Sequence, residues 1–379
     1  MGCQGLKNSL FNVKSTIMKK FYLSCLATVL SLAAQAHSFV DEKLQKFVRN
    51  TIIEAVKPYG NDVPEASCVI MRPSGEVLVD VGLGFNRKKV KDIPSLNSES
   101  VAPGIVRLVL YLSLMDENLQ PDYVINTGSG EYCDSSTNCV IRDMSYSRGG
   151  WQDVTIQKAV DVSNIGVYKA VEKVFKRNMG TYGRSLIRTG ITFNTEDNEP
   201  HANSLWLPCD IMGAHSPYTM YQQLMWLSGT ILNNGKIVLR LSPEDSSVPV
   251  CEVKSSKRAI DRLREAMIMT VETGTGRLLK TSGVTVAAAL NVSEPDLINC
   301  RTLTGFLTLS SDCQAAGGYC IGVYVKKHDL PAGRKLPALI LKQIVDYMIS
   351  KGYVIVGNNS ASYNETIKHS DNWVHPAQR

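Results

Sequence analysis

Strand-like segments occur in two groups far apart in this sequence, and that separation limits the possible folds more than any other feature. The first group, ASCVIMRPSGEVLVDVGLG, reads as two strands around the turn Pro73-Ser74-Gly75. The second, toward the C-terminus, holds three runs: GVTVAAALNV, RTLTGFLTLS and YCIGVYVKK. A helical pattern precedes the first group, with Leu44, Phe47, Val48, Ile52 and Val56 on one face after Ser38 or Asp41. Another follows the second group, from about Leu336 to Ser350, closed by Gly352.

Between the groups the periodicity is helical. One pattern runs from Thr155 to Phe175 with a break near Ser163-Asn164, and a second from Pro217 to Asn234, capped by Ser216 and stopped by Gly235. A third covers Ser256 to Thr273, with Ile260, Leu263, Met267 and Val271 inward and Gly274 at its end. One antiparallel sheet of about five strands, joining hairpin and meander, would carry both terminal helices on one face. The helical middle would form a second lobe. No repeat and no Pro/Ser-rich linker divides the chain, which favours one interlocked α/β domain.

The N-terminus carries a leader. MKKFYLSCLATVLSLAAQA, from Met18 to Ala36, has a Lys-Lys start, an apolar centre and an Ala-Gln-Ala ending, the three parts of a secretory signal. Its apolar run falls short of the roughly 20 residues a membrane span needs, so cleavage after Ala36 is expected and no stable membrane anchor afterward. Residues 1–17 resemble neither signal nor domain, which makes Met18 a candidate start. The expected organisation is a signal region over 1–36, a folded domain over 37–355 and a tail over 356–379.

Without the leader, charge argues against nucleic acid. Residues 1–36 hold four Lys and no acid, leaving 37 basic side chains against 35 acidic ones. A nucleic-acid protein would show a basic stripe instead. Eight Cys also remain, an even count that suggests disulfides in an exported chain. Cys133 with Cys139 and Cys313 with Cys320 are the candidate pairs, each closing a short loop worth about 2–3 kcal/mol if unstrained. No C-x-x-C pair or neighbouring His supports zinc, so no metal and no cofactor is expected.

These pieces, in this order, resemble the transpeptidase domain of penicillin-binding proteins, in particular the class B, division-type enzymes. The resemblance runs from about Val63 to Tyr353. CVIMRPSGEVLVDVGLG is similar to the family's opening hairpin, and PGIVRLVLYLSLMDENLQPDYVINTGSGEY to its nucleophile helix and Thr-Gly element. PYTMYQQLMWLSGTILNNGKIVLRL resembles its helix ending in an Asn-Gly turn, and RLREAMIMTVETGTGRLLK the segment ahead of its catalytic strand. The implied fold is transpeptidase-like, shared with the serine β-lactamases. The implied activity is D,D-transpeptidation of peptidoglycan stem peptides.

That activity depends on three motifs, and all three are damaged here. A Ser-x-x-Lys supplies nucleophile and base, a Ser-x-Asn a second hydroxyl and an amide, and a Lys-Thr-Gly strand a cation and edge hydrogen bonds. A serine hydroxyl without an adjacent base is a weak nucleophile. After Pro103-Gly104 the resemblance places Ile105 at the Ser position and Leu108 at the Lys position, and no Ser-x-x-Lys occurs anywhere in the chain. The second motif reads Val162-Ser163-Asn164. At the third, Ala289, Leu290 and Asn291 replace Lys, Thr and Gly. Lys280-Thr281-Ser282-Gly283 lies before the strand and is one residue too long, and Thr155-x-x-Lys158 reads as a helix start capped by Thr155.

Ser163 and Asn164 are the remaining candidates for ligand contact, with helix capping the favoured role for Asn164. Trp226 reads as core, and Trp151 and Trp206 stay open between core and groove. The expectation is an exported, periplasmic or envelope-bound pseudoenzyme that binds peptidoglycan peptides or a partner in cell-wall synthesis. The competing expectation is a serine acyl-transferase or hydrolase with rearranged catalytic residues. The missing Ser/Lys pair favours the first.

Overall fold

The computed structural model describes residues 39–86, 89–95, 104–135, 139–143, 145–176, 178–190, 220–240, 245, 247–293, 301–311, 318–328 and 335–356. The leader, Pro103, Trp206, Cys209, Cys300, Cys313, the Ser216 cap and the tail beyond 356 lie outside them.

Helix α1 (Glu42–Val56) opens the fold and is capped by Asp41, whose side chain accepts from the Leu44 N–H at 2.9 Å. Its apolar stripe of Leu44, Val48, Ile52 and Val56 is buried, as the 3.6-residue spacing predicts. Strands β1 (Glu65–Met71), β2 (Val77–Asn86) and β3 (Lys89–Asp92) follow. The C-terminal meander is β10 (Thr285–Ser293), β11 (Arg301–Ser310) and β12 (Tyr319–Lys327), and helix α8 (Leu336–Ser350) closes the domain.

These strands form one antiparallel sheet in the order β10-β11-β12-β1-β2-β3. The two distant groups meet where β1 pairs with β12, with Cys68 opposite Val323. Six strands are present rather than about five. The added β3 is the exposed Lys-Val-Lys-Asp edge, whose polar side chains hide it from an apolar-alternation reading.

The sheet separates two cores. On one face Cys68, Ile70, Val79, Val81, Ala288, Leu307, Ile321 and Val323 pack against α1 and α8. There Phe47 stacks on Tyr347 with ring centroids 3.7 Å apart, so both terminal helices share a face as expected. On the other face Val69, Met71, Ala287, Ala289, Phe306, Cys320 and Tyr324 pack against the helical lobe. The alternation along β10 assigns Ala288 to the first core and Ala287 and Ala289 to the second.

The lobe is built from α2 (Gly104–Asp116), α3 (Ile156–Val162), α4 (Asn164–Phe175), α5 (Met179–Arg188), α6 (Met220–Leu227) and α7 (Lys257–Glu272). Short hairpins decorate it, pairing β4 (Val124–Asn126) with β7 (Asp153–Thr155), β5 (Glu131–Asp134) with β6 (Cys139–Arg142), and β8 (Lys236–Ile237) with β9 (Cys251–Glu252). Trp226 is core: it is 1% exposed and donates Nε1–H to the Thr189 carbonyl at 2.7 Å. Trp151 is partly buried against the same cluster.

Of the four cysteines expected to pair, Cys313 and the side chain of Cys139 lie outside the described residues. Cys133 and Cys320 are free thiols. In the β5–β6 hairpin the residue opposite Cys133 is Val140, while Cys139 lies opposite Asp134, so the register offsets the two cysteines. Cys320 is fully buried in β12, opposite both Met71 and Thr308, and burial pushes its thiol far above the ordinary range.

Candidate functional site

The positions that the sequence resemblance assigns to the transpeptidase motifs lie in the core. Ile105 and Leu108 on α2 are 0% and 1% exposed; Val162 at the end of α3 and Ala289 on β10 are each 7% exposed. All four belong to the single apolar cluster between the helical lobe and the sheet. Leu290 falls opposite Gly305 and Asn291 opposite Thr304 on β11. Full burial of an Ile or Leu stabilises by about 1.5–3 kcal/mol, so Ile105 and Leu108 contribute to the stability of the core.

Beside this apolar cluster lies a buried polar network. Thr155 caps α3, accepting from the Lys158 N–H at 3.3 Å. Ser163 ends α3 and caps α4: its Oγ accepts from the Gly166 N–H at 2.9 Å and donates to Asp143 Oδ2 at 2.5 Å. The cap is therefore Ser163 and not Asn164, because a cap must be extended and Asn164 is already the first helical residue. Asn164 instead donates Nδ2–H to the Arg142 carbonyl at 3.4 Å. Gly166 permits the α3–α4 approach, since a Cβ there would lie 2.7 Å from the Ala159 Cβ.

Two carboxylates organise the network. Asp143 also accepts from the Ile165 N–H at 3.1 Å, and burial pushes its carboxyl above the usual range against these hydrogen bonds. Asp161 accepts from Lys158 Nζ at 3.0 Å and from both the N–H and hydroxyl of Thr275. Thr275 is the centre of Gly274-Thr275-Gly276. A Cβ on Gly274 would lie 2.3 Å from Asp161 Oδ2, so that turn can close on the carboxylate only as glycine.

Arg107, on α2 one residue before Leu108, completes the network. It is 7% exposed and donates Nη1–H to the Asp161 carbonyl at 3.5 Å. Burial lowers its pKa while Asp161 and Asp143 raise it. The structure thus joins Ser163 to Arg107, Asp143, Asp161 and Thr275, four residues that the motif reading did not single out. The available signal was Arg107 itself, a lone charge inside the apolar run Ile105 to Leu112.

Chemically, this arrangement holds segments together and exposes no nucleophile. Ser163 is 0% exposed, and its oxygen is committed to Asp143 and the Gly166 N–H. Among the described residues no group of three or more His, Cys, Asp or Glu is placed to hold a metal, and no helix is long and apolar enough to cross a membrane. Ser163→Ala should cost about 2 kcal/mol, from the lost cap and the buried Asp143 left short of a donor. Thermal denaturation should show a fall of about 4–8 °C; an unchanged midpoint would contradict the assigned role.

No protein-family model and no curated protein matches this chain in sequence. Solved structures match it in fold. A peptidoglycan glycosyltransferase from Burkholderia ambifaria superposes with a TM-score of 0.59 at 14% identity, over 83% of this chain and 97% of that one. The TP domain of Burkholderia pseudomallei penicillin-binding protein 3 gives 0.62 at 13% identity, over 83% and 96%. The transpeptidase domain of the FtsI4 D,D-transpeptidase from Legionella pneumophila gives 0.57 at 14% identity, over 82% and 98%. The chain has the fold of the transpeptidase domains of penicillin-binding proteins.

Proposed function

We propose that this protein is a catalytically inactive relative of the transpeptidases, exported to the cell envelope, where it binds peptidoglycan peptides or a protein of cell-wall synthesis. One observation carries the reading: Ile105, Leu108, Val162 and Ala289, which the sequence resemblance places at the positions of nucleophile, base, second hydroxyl and cation, are packed into one buried apolar cluster. A site that transfers acyl groups keeps a nucleophile within hydrogen-bond reach of its base. Here the correspondence yields neither, and the nearby serine, Ser163, is sealed from solvent by its cap.

Support for the peptidoglycan context comes from the solved structures of like fold, among them a peptidoglycan glycosyltransferase and a D,D-transpeptidase. Fold alone does not assign function. The export reading rests on the signal-like segment Met18 to Ala36.

The test combines fractionation with sedimentation. The protein should be recovered from the periplasm with a mass lacking residues 1–36. It should co-sediment with purified peptidoglycan without changing its cross-linking. Retention of the leader would remove the export reading. Altered cross-linking would establish an active transpeptidase or hydrolase, and failure to sediment would leave a partner protein as the ligand to be captured from envelope extracts.

A further inference from the structure

Large apolar side chains exposed singly are ordinary on a folded protein; exposed together, they mark a contact surface. Three that are distant in sequence come together at one end of the helical lobe. Ile187 on α5 is 58% exposed, and Val248 and Val250, at the entry to β9, are 66% and 43% exposed.

Backbone contacts join the two segments. The Lys254 N–H donates to the Arg188 carbonyl at 2.7 Å, and Cys251 donates Sγ–H to the Gly190 carbonyl at 4.0 Å. A Cβ on Gly190 would lie 3.3 Å from Val253 Cγ2, so the end of α5 lies against β9. The Val250 N–H donates to the Ile237 carbonyl at 2.8 Å, which extends the β8–β9 hairpin to Val250. Leu186 and Val253 are buried in these segments, while their neighbours Ile187, Val248 and Val250 stay in solvent.

The charges around them are mostly of one sign. Residues 179–188 and 247–254 hold Arg184, Arg188 and Lys254 against a single acid, Glu252. Lys236 adds a further cation, opposite Glu252 in the hairpin. Arg188 is held by Glu117. Arg184, Lys236 and Lys254 are exposed, and among the described residues none of the three has a carboxylate in ion-pair contact.

Aliphatic side chains with a cationic rim suit an anionic bilayer. Attachment to a lipid surface grows with the apolar area placed among the headgroups and with the attraction of Lys and Arg to anionic lipid. Protein interfaces draw instead on aromatic anchors, with Val under-represented. The aromatic residue of α5, Tyr182, is buried.

We propose that the end of α5 and the β8–β9 hairpin form a peripheral docking surface for an anionic phospholipid membrane. Ile187, Val248 and Val250 enter the headgroup layer, and Arg184, Lys236 and Lys254 meet the lipid phosphates. No described helix is long and apolar enough to cross a membrane, and this contact holds the domain on a surface without spanning it. It goes beyond export to the envelope and is independent of whether acyl transfer is lost.

The test is co-sedimentation of the full chain with vesicles of phosphatidylcholine, alone or mixed with phosphatidylglycerol. Binding should require phosphatidylglycerol and weaken as salt rises to about 1 M, where the screening length is about 3 Å. The segment Met18 to Ala36 is common to parent and variants, so the difference between them reads the surface alone. Arg184→Glu with Lys254→Glu should weaken binding about tenfold or more, and so should Ile187→Ser with Val250→Ser. All four positions are exposed, so both variants should keep the parent's thermal midpoint. Equal binding by the parent and both variants, or binding to neither vesicle, would overturn the proposal. Binding of heparin without vesicles would overturn it in favour of a soluble polyanion. A dimer abolished by Ile187→Ser with Val250→Ser, without vesicle binding, would overturn it in favour of a second copy of the chain.

Discussion

The double variant Ile105→Ser, Leu108→Lys is expected to remain unlabelled by a fluorescent penicillin and to be less stable than the parent. Rewriting the two residues restores the letters of Ser-x-x-Lys but not its setting. Ile105 is fully buried and Leu108 nearly so, in an apolar cluster shared with Val162 and Ala289. A serine hydroxyl placed there lacks a partner, and a lysine placed there is desolvated. Each change should cost about 2–4 kcal/mol, from lost apolar packing and from burial of a polar group. Loss of a nucleophile costs about 10⁶-fold in rate in a well-studied serine protease, and on the proposed reading the second hydroxyl and the cation would still be missing in the double variant. Stoichiometric labelling of the double variant, read on a gel beside a reactive control, would show that the site is latent rather than dismantled.

The second large effect is expected at Asp161. Asp161→Ala removes the acceptor for Lys158 and for both donors of Thr275, and leaves Arg107 and Lys158 without the nearest opposite charge. Truncating one member of a buried charged network typically costs 3–5 kcal/mol, because the remaining groups stay desolvated and uncompensated. Lys158 is about a quarter exposed, which places the estimate at the lower end, about 3 kcal/mol. A fall in thermal midpoint of about 6–12 °C should follow. A change of under 2 °C, measured at the same pH and salt, would mean that the network is not what joins α2, the α3–α4 corner and the Gly274-Thr275-Gly276 turn.

Much of this architecture was legible in the residues, for identifiable reasons. The β1–β2 hairpin and the β10–β12 meander are buried on both faces and so read as apolar runs. The terminal helices carry clean 3.6-residue stripes, and Ser163 marks the break between α3 and α4 because it must cap one helix as it ends the other. The β3 to β9 segments were missed: they are two to four residues long and depend on tertiary pairing more than on pattern. Helix α5 was missed too, since Gly180 and Gly183 lower its intrinsic propensity.

The site divided in the same way. Ile105, Leu108, Val162 and Ala289 could be singled out in the sequence, because a resemblance specifies what each position would otherwise hold; their shared burial is what the structure adds. The polar network was not, because Arg107, Asp143, Asp161 and Thr275 lie on four separate segments and acquire meaning only when tertiary packing brings those segments to the α3–α4 corner. Sequence spacing does not reveal the hairpin register either: one residue of offset sets Val140, not Cys139, opposite Cys133.

The central claim is that the transpeptidase fold persists here without its acyl-transfer chemistry. The most direct measurement is the intact mass of the unmodified protein after incubation with excess penicillin, followed by peptide mapping. The account predicts an unchanged mass; a stable, stoichiometric adduct mapped to any Ser or Thr would contradict it.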